Sequence, residues 1–155
     1  GANRTGRPFT GDWAGDLLYE TLLKFGFATG EYEGHAGDTL TLQNTAITTG
    51  VRCVPPQNKP IGSEINQCRT FLGNALSRFN NLKCVVTLGK ISHDSTIRAL
   101  GEKPSQAPFG HGNRAEINGL TVISSYHCSR YNTNTGRLTE SMFADIFRTV
   151  QMVVS

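Results

Sequence analysis

The chain has 155 residues, of which 37% are apolar and 17% charged, and its formal net charge is +3. That is the size and composition of one ordinary globular domain and excludes an intrinsically disordered chain. The charge balance permits an anionic partner without requiring one, and the longest apolar runs, such as Cys84-Val85-Val86, are far too short to span a membrane.

Taken in chain order, the first readable element is a helix. Trp13, Leu17, Leu18, Leu22 and Phe25 recur at helical spacing between Asp12 and Phe25, and Gly26 is its stop. A Thr-rich stretch from Ala46 to Val51 leans toward β structure, and Pro55, Pro56 and Pro60 force an irregular loop after it. Ser63 caps a second helix with Ile65, Cys68, Leu72, Leu76 and Phe79 along one side. Cys84 to Leu88, ending at Gly89, has the pattern of a buried parallel strand. A helix through Ile91, Ile97 and Leu100 is expected next, then a long loop from Gly101 to Asn118 and a strand from Leu120 to Tyr126. Residues 132–136 read as a polar loop. Met142, Phe143, Ile146, Phe147 and Val150 form a closing amphipathic helix with Thr139 as its cap.

This alternation predicts an α/β fold with a mostly parallel sheet, organised as a single domain over residues 1–155. The chain opens at Gly1 rather than Met, shows no signal peptide, and begins on a helix. These features suggest a truncated piece cut just after a strand. The four cysteines, Cys53, Cys68, Cys84 and Cys128, are too sparse for a secreted disulfide scaffold and fit a reducing, cytosolic setting.

In open parallel sheets, ligands sit beyond the carboxyl ends of the strands. The loops expected there are residues 1–11, 52–60 and 127–137, and they hold most of the chemically unusual residues. The third runs His127-Cys128-Ser129-Arg130-Tyr131-Asn132-Thr133-Asn134-Thr135-Gly136-Arg137. An imidazole at a strand end, among amides, hydroxyls and two arginines, suits stabilisation of an anion or a leaving group. A polar surface loop with a satisfied histidine would have the same composition. In the first loop Arg4 and Arg7 suit phosphates and Phe9 suits stacking on a flat ring, although a chain terminus and a helix cap at Asp12 also account for these residues. Cys53 and Cys68 could ligate zinc or an iron-sulfur cluster, but two thiolates do not complete a four-ligand site. Cys84 reads as packing, and Cys128, a nucleophile in principle, reads better as a small buried thiol. His93-Asp94-Ser95 is not a triad, because adjacent residues of a helix do not face one another. His111 and Arg114 suit contact with DNA or with solvent. Phosphate-loop, dinucleotide and zinc-deaminase motifs are absent from the sequence.

Residues 1–12 (Gly-Ala-Asn-Arg-Thr-Gly-Arg-Pro-Phe-Thr-Gly-Asp), 51–60 (Val-Arg-Cys-Val-Pro-Pro-Gln-Asn-Lys-Pro), Leu88-Gly89-Lys90 and the 127–137 loop resemble, in order, family 5 (type b) of the uracil-DNA glycosylase superfamily. The resemblance implies a three-layer α/β/α fold whose central first strand is missing here, which would leave this piece poorly stable alone. It implies hydrolysis of the N-glycosidic bond of uracil, and of other deaminated bases, in DNA by a monomeric prokaryotic enzyme. It also implies a [4Fe-4S] cluster, with Cys53 and Cys68 as two of the four ligands.

By position in the motifs, His127 corresponds to the histidine that polarises the base carbonyl, and Asn132 to a nearby active-site asparagine. Asn3 stands where a carboxylate or amide holds the attacking water, and Asp12 is the nearest carboxylate. Phe9 corresponds to the ring that stacks on the extruded base. Arg4, Arg7, Lys59, Arg130 and Arg137 are candidate phosphate contacts. Thr49 replaces an asparagine that reads the uracil edge. A hydroxyl offers less than an amide's separate donor and acceptor, so the departure implies wider base acceptance. The rival expectations are a non-catalytic nucleic-acid-binding homologue and a small-nucleotide hydrolase.

Overall fold

The computed structural model describes residues 13–35, 37–47 and 82–155. The chain divides into a first unit of residues 1–47, 127–153 and 155 and a second of residues 48–126 and 154. The expected helix from Ser63 and most of the β-leaning stretch after Ala46 lie outside the described residues.

In the first unit, helix α1 (Trp13–Lys24) buries Ala14, Gly15, Leu18, Tyr19, Thr21 and Leu22, a stripe at spacings of three and four. Its stop is the expected one. Gly26 has φ 82°, and the amides of Gly26 and Phe27 return to the carbonyls of Leu23 (3.4 Å) and Leu22 (2.9 Å). That pair of bonds satisfies carbonyls the helix end would leave unpaired, and it needs a left-handed residue at Gly26. The chain then forms a short antiparallel pair, β1 (Ala28–Thr29) with β2 (Thr41–Leu42). Two-residue strands carry no readable alternation, so periodicity could not have found them.

The closing helix is α4 (Glu140–Val154). The Thr139 hydroxyl accepts the Met142 amide at 3.1 Å, as a cap should. Phe143, Ala144, Ile146, Phe147 and Val150 are buried, and Phe147 packs on Phe143 and Phe27 at 5.1 and 6.2 Å between ring centroids. Gln151 donates to the Phe25 carbonyl at 2.6 Å, tying α4 to the end of α1.

The second unit holds a mixed sheet in the order β3-β5-β4: β3 (Cys84–Leu88), β4 (Arg114–Ile117) and β5 (Leu120–Ser125). β3 and β5 are parallel, from Cys84 opposite Thr121 to Leu88 opposite Ser125. Central β5 is buried along its whole length, as a strand with neighbours on both sides should be. The segment 101–118, expected to be a loop, instead contains a 3-10 turn (Pro104–Gln106) and β4, which pairs antiparallel with β5. The hairpin turns at Asn118 (φ 52°) and Gly119 (φ 82°), where two positive φ angles match the twist of the flanking strands. Helix α2 (Lys90–Ala99) follows β3 as expected. Its Ile97 packs with Ala107, Ile117 and Val122.

His93 of α2 is fully buried and has a structural role. Its Nε2 lies 2.6 Å from the Ala107 carbonyl oxygen. A carbonyl only accepts, so Nε2 carries the proton and Nδ1 is free to accept. Ser124 Oγ donates to Nδ1 at 2.9 Å, with Thr87 Oγ1 at 3.2 Å as a second donor. Three buried polar side chains are thereby paired. Asp94 turns instead to Lys90 (2.6 Å), so no triad forms. Among the described residues, no helix is long and apolar enough to cross a membrane.

Half-buried in β3, the Cys84 thiol is pushed up from 9.0 to about 11 by burial, the Arg114 charge pulling it down and Glu116 pushing it further up. A raised value in the fold means that the thiol stabilises the protein fully below pH 9.0 and loses that contribution as pH rises toward about 11. The thermal midpoint of the wild type should therefore fall relative to that of Cys84→Val across this interval. A pH-independent gap between the two would show a thiol that is not desolvated.

Candidate active site

The segment after β5 is the best-defined candidate. Its composition predicts an irregular loop, but residues Arg130–Asn134 form a short helix, α3. Arg, Tyr, Asn and Thr together do not make a strong helix-forming run, so local bonds build it. Ser129 caps the turn, its Oγ accepting the Asn132 amide at 3.2 Å, and the Thr133 amide returns to the Ser129 carbonyl at 3.1 Å. The segment is anchored to α1 at two points. Cys128 is fully buried and its thiol donates to the Ala14 carbonyl at 3.5 Å; Trp13 Nε1 donates to Thr133 Oγ1 at 2.8 Å. A thiol used in this way is packing rather than a nucleophile, as expected.

Asn132 is the hub of the segment. Its Nδ2 donates to the His127 carbonyl at 2.8 Å, and its own carbonyl accepts the Leu138 amide at 3.1 Å. The structure thus brings His127 and Asn132 together, with the amide turned toward the backbone of His127. His127 itself is half-buried. Arg130 lies with its guanidinium carbon 5.8 Å from the centre of the Trp13 ring, and Arg137 is exposed at the far end of the segment. The remaining candidates, Asn3, Arg4, Arg7, Phe9, Asp12, Thr49, Cys53, Lys59 and Cys68, lie outside the described residues.

Two residues of this surface are not singled out by the sequence. The spacing of α1 puts Trp13 in the buried stripe, yet it is 47% exposed and lies under Arg130. Tyr131 is 70% exposed. Nothing in the spacing of α1 marks Trp13 as a surface residue. Tyr131 is visible only as an aromatic in a polar segment. A cation over an indole beside an exposed phenol is a surface suited to phosphates and flat rings.

Residues 1–151 match the model of the uracil DNA glycosylase superfamily. The chain belongs to that superfamily. It is 40% identical over 147 residues to a type-5 uracil-DNA glycosylase of Thermus thermophilus, covering 94% of this chain and 67% of the relative. To the type-5 enzyme of Mycobacterium tuberculosis it is 40% identical over 152 residues, covering 96% of this chain and 56% of the relative. To that of Pyrobaculum aerophilum it is 35% identical over 148 residues, covering 96% and 64%. The chain thus spans 56% to 67% of the length of these relatives. Membership of the uracil-DNA glycosylase superfamily carries its three-layer α/β/α fold class, in agreement with the sequence expectation.

The Asn132 amide has one clear structural duty, which an isosteric change can isolate. Asn132→Asp exchanges the donor for a carboxylate facing a carbonyl and should lower stability in urea by about 1 kcal/mol. Stability equal to the wild type in Asn132→Asp would show that the bond to the His127 carbonyl is not made in solution.

Proposed function

We propose that this chain is the catalytic part of a monomeric DNA glycosylase that hydrolyses the N-glycosidic bond of uracil, and of other deaminated bases, in DNA. Besides the family, the observation that supports this most is the fixed backbone of His127, pinned by the Asn132 amide just beyond the end of β5. Catalytic electrostatics depends on a donor held in place before charge develops. A base inside a duplex is out of reach, so the enzyme must swing it out or act on a single strand. As the bond between the sugar C1′ and the base nitrogen breaks, its electron pair passes to the base. A hydrogen bond from the His127 imidazole to a base carbonyl oxygen stabilises that charge. Water then adds at C1′, leaving a hydroxyl on the sugar and a proton for the departing base.

Phe9 would stack on the swung-out base, and Asn3 or Asp12 would hold the water. Arg4, Arg7, Arg130 and Arg137 would meet phosphates, which position the strand rather than specify it. Thr49 at the base edge offers one hydroxyl in place of an amide, which supports acceptance of more than uracil. The sources of the relatives support a place in the prokaryotic cytoplasm, bound to DNA.

We extend the proposal to a [4Fe-4S] cluster. Of the four cysteines, Cys84 lies within β3 and Cys128 is fully buried with its thiol on the Ala14 carbonyl, and neither belongs to a group of three or more potential ligands among the described residues. Cys53 and Cys68 remain, and a four-thiolate cluster would take two further ligands from outside these 155 residues. When bound, the cluster would act as a covalent clamp on the segments that carry its ligands.

His127→Ala should lower the single-turnover rate of uracil excision by about 100-fold or more, with DNA affinity little changed. The measurement is alkaline cleavage of a uracil-containing oligonucleotide, and a near-normal rate removes His127 from the mechanism. Protein expressed from its complete gene should show brown absorbance that Cys53→Ala weakens and Cys84→Ala leaves intact. A colourless, fully active preparation would remove the cluster.

A further inference from the structure

The sequence allows His111 two roles, a DNA contact or a solvated side chain, and the structure gives it partners within the fold. It is half-buried at the mouth of the β4–β5 hairpin. There the regular ladder ends in a local bend. The Gly112 amide donates to the Ser124 carbonyl at 2.8 Å, the Ser124 amide donates to the Asn113 carbonyl at 2.9 Å, and Gly112 has φ 82°. Beyond the bend the amide of Tyr126 donates to a side chain, His111 Nδ1, at 3.0 Å. The imidazole thus takes the place of a strand carbonyl. Nδ1 must be unprotonated to accept, so a neutral ring carries its proton on Nε2.

A second contact acts on the same residue. The His111 ring stacks on the Tyr126 ring, with centroids 4.9 Å apart and planes inclined by 29°. Phe109 meets the Tyr126 ring at 6.2 Å and the buried His93 ring at 5.7 Å. Tyr126 is therefore held by its backbone through a ring nitrogen and by its side chain against two rings. The next residue is His127.

We infer that His111 is a positioning residue. By fixing the amide and ring of Tyr126, it constrains the residue whose peptide bond leads into His127. This rests on the glycosylase reading above and adds to it a residue that acts through Tyr126. His111 acts through two separable features, an acceptor and a ring, and two variants divide them. His111→Phe keeps a ring and loses the acceptor. His111→Asn loses the ring but presents Oδ1 where Nδ1 stood.

The experiment measures amide hydrogen exchange at Tyr126 and excision kinetics on uracil-containing DNA for the wild type and both variants. In His111→Phe the Tyr126 amide should exchange about tenfold faster. Its kcat should fall about tenfold or more, with KM and DNA affinity unchanged. His111→Asn should recover both toward wild type. A loss that merely followed stability would strike both variants alike. The inference is overturned by unchanged exchange in His111→Phe, by faster exchange without a fall in kcat, or by His111→Asn being as impaired as His111→Phe. A wild type that excises no base overturns the glycosylase reading and this inference with it. The other three outcomes arise with an active wild type and remove only the role of His111.

Discussion

The imidazole of His93 is the interaction on which the second unit is organised. It bridges α2 to two parallel strands, donating to Ala107 and accepting from Ser124 of β5, with Thr87 of β3 as second donor. Remove it and buried polar groups lose partners, at about 1–3 kcal/mol for each one left unsatisfied. With the ring in place, β3 and β5 are held in a register that brings Leu88 opposite Ser125, and the Gly89 amide adds one more bond, to the Ser125 carbonyl at 2.9 Å. The two strands end level, so the chain leaves β5 at a defined point.

Past the end of β5, short polar bonds rather than apolar mass hold the chain in place. Between His127 and Leu138 the bonds are made by the Cys128 thiol, the Ser129, Thr133 and Thr135 hydroxyls and the Asn132 amide, and the Trp13 indole nitrogen joins them from α1. A segment built this way leaves Arg130, Tyr131 and Arg137 exposed. Its burial is concentrated at Cys128 and Leu138, so the residues between them depend on these polar bonds. The described cysteines belong to this economy of packing: Cys128 holds the segment to α1, and Cys84 stays a protonated thiol in the sheet.

Much of the fold was legible because its longer elements obey one period each. α1, α2 and α4 show helical spacing, and their stops and caps, Gly26 and Thr139, carry the expected chemistry. β3 and β5 are apolar enough to read as buried strands. The failures have physical causes. β4 is four residues long, with Arg114 and Glu116 on its exposed face, and its polar face disguised it as loop. The Asn118-Gly119 pair that marks its hairpin was nevertheless a readable signal. α3 is nucleated by the Ser129 cap rather than by propensity, so its composition pointed to a loop. At the candidate site, residue type and a strand end drew attention to His127, and Asn132 was named only through the family resemblance. Neither could tell that the Asn132 amide faces the main chain, because direction belongs to tertiary structure. Sequence also could not separate His93 and His111, two imidazoles with partners inside the fold, from histidines open to a ligand.

The tight turn at Asn118 and Gly119 has a consequence for how this lineage can vary. Side chains on a strand alternate between faces, so shifting β5 by one position against its neighbours would exchange inward and outward residues along its length. Ser124 would leave His93, and the departure point toward His127 would move with it. Length changes at this corner would therefore disturb the pairing, whereas residues 101–106 enter no strand pairing.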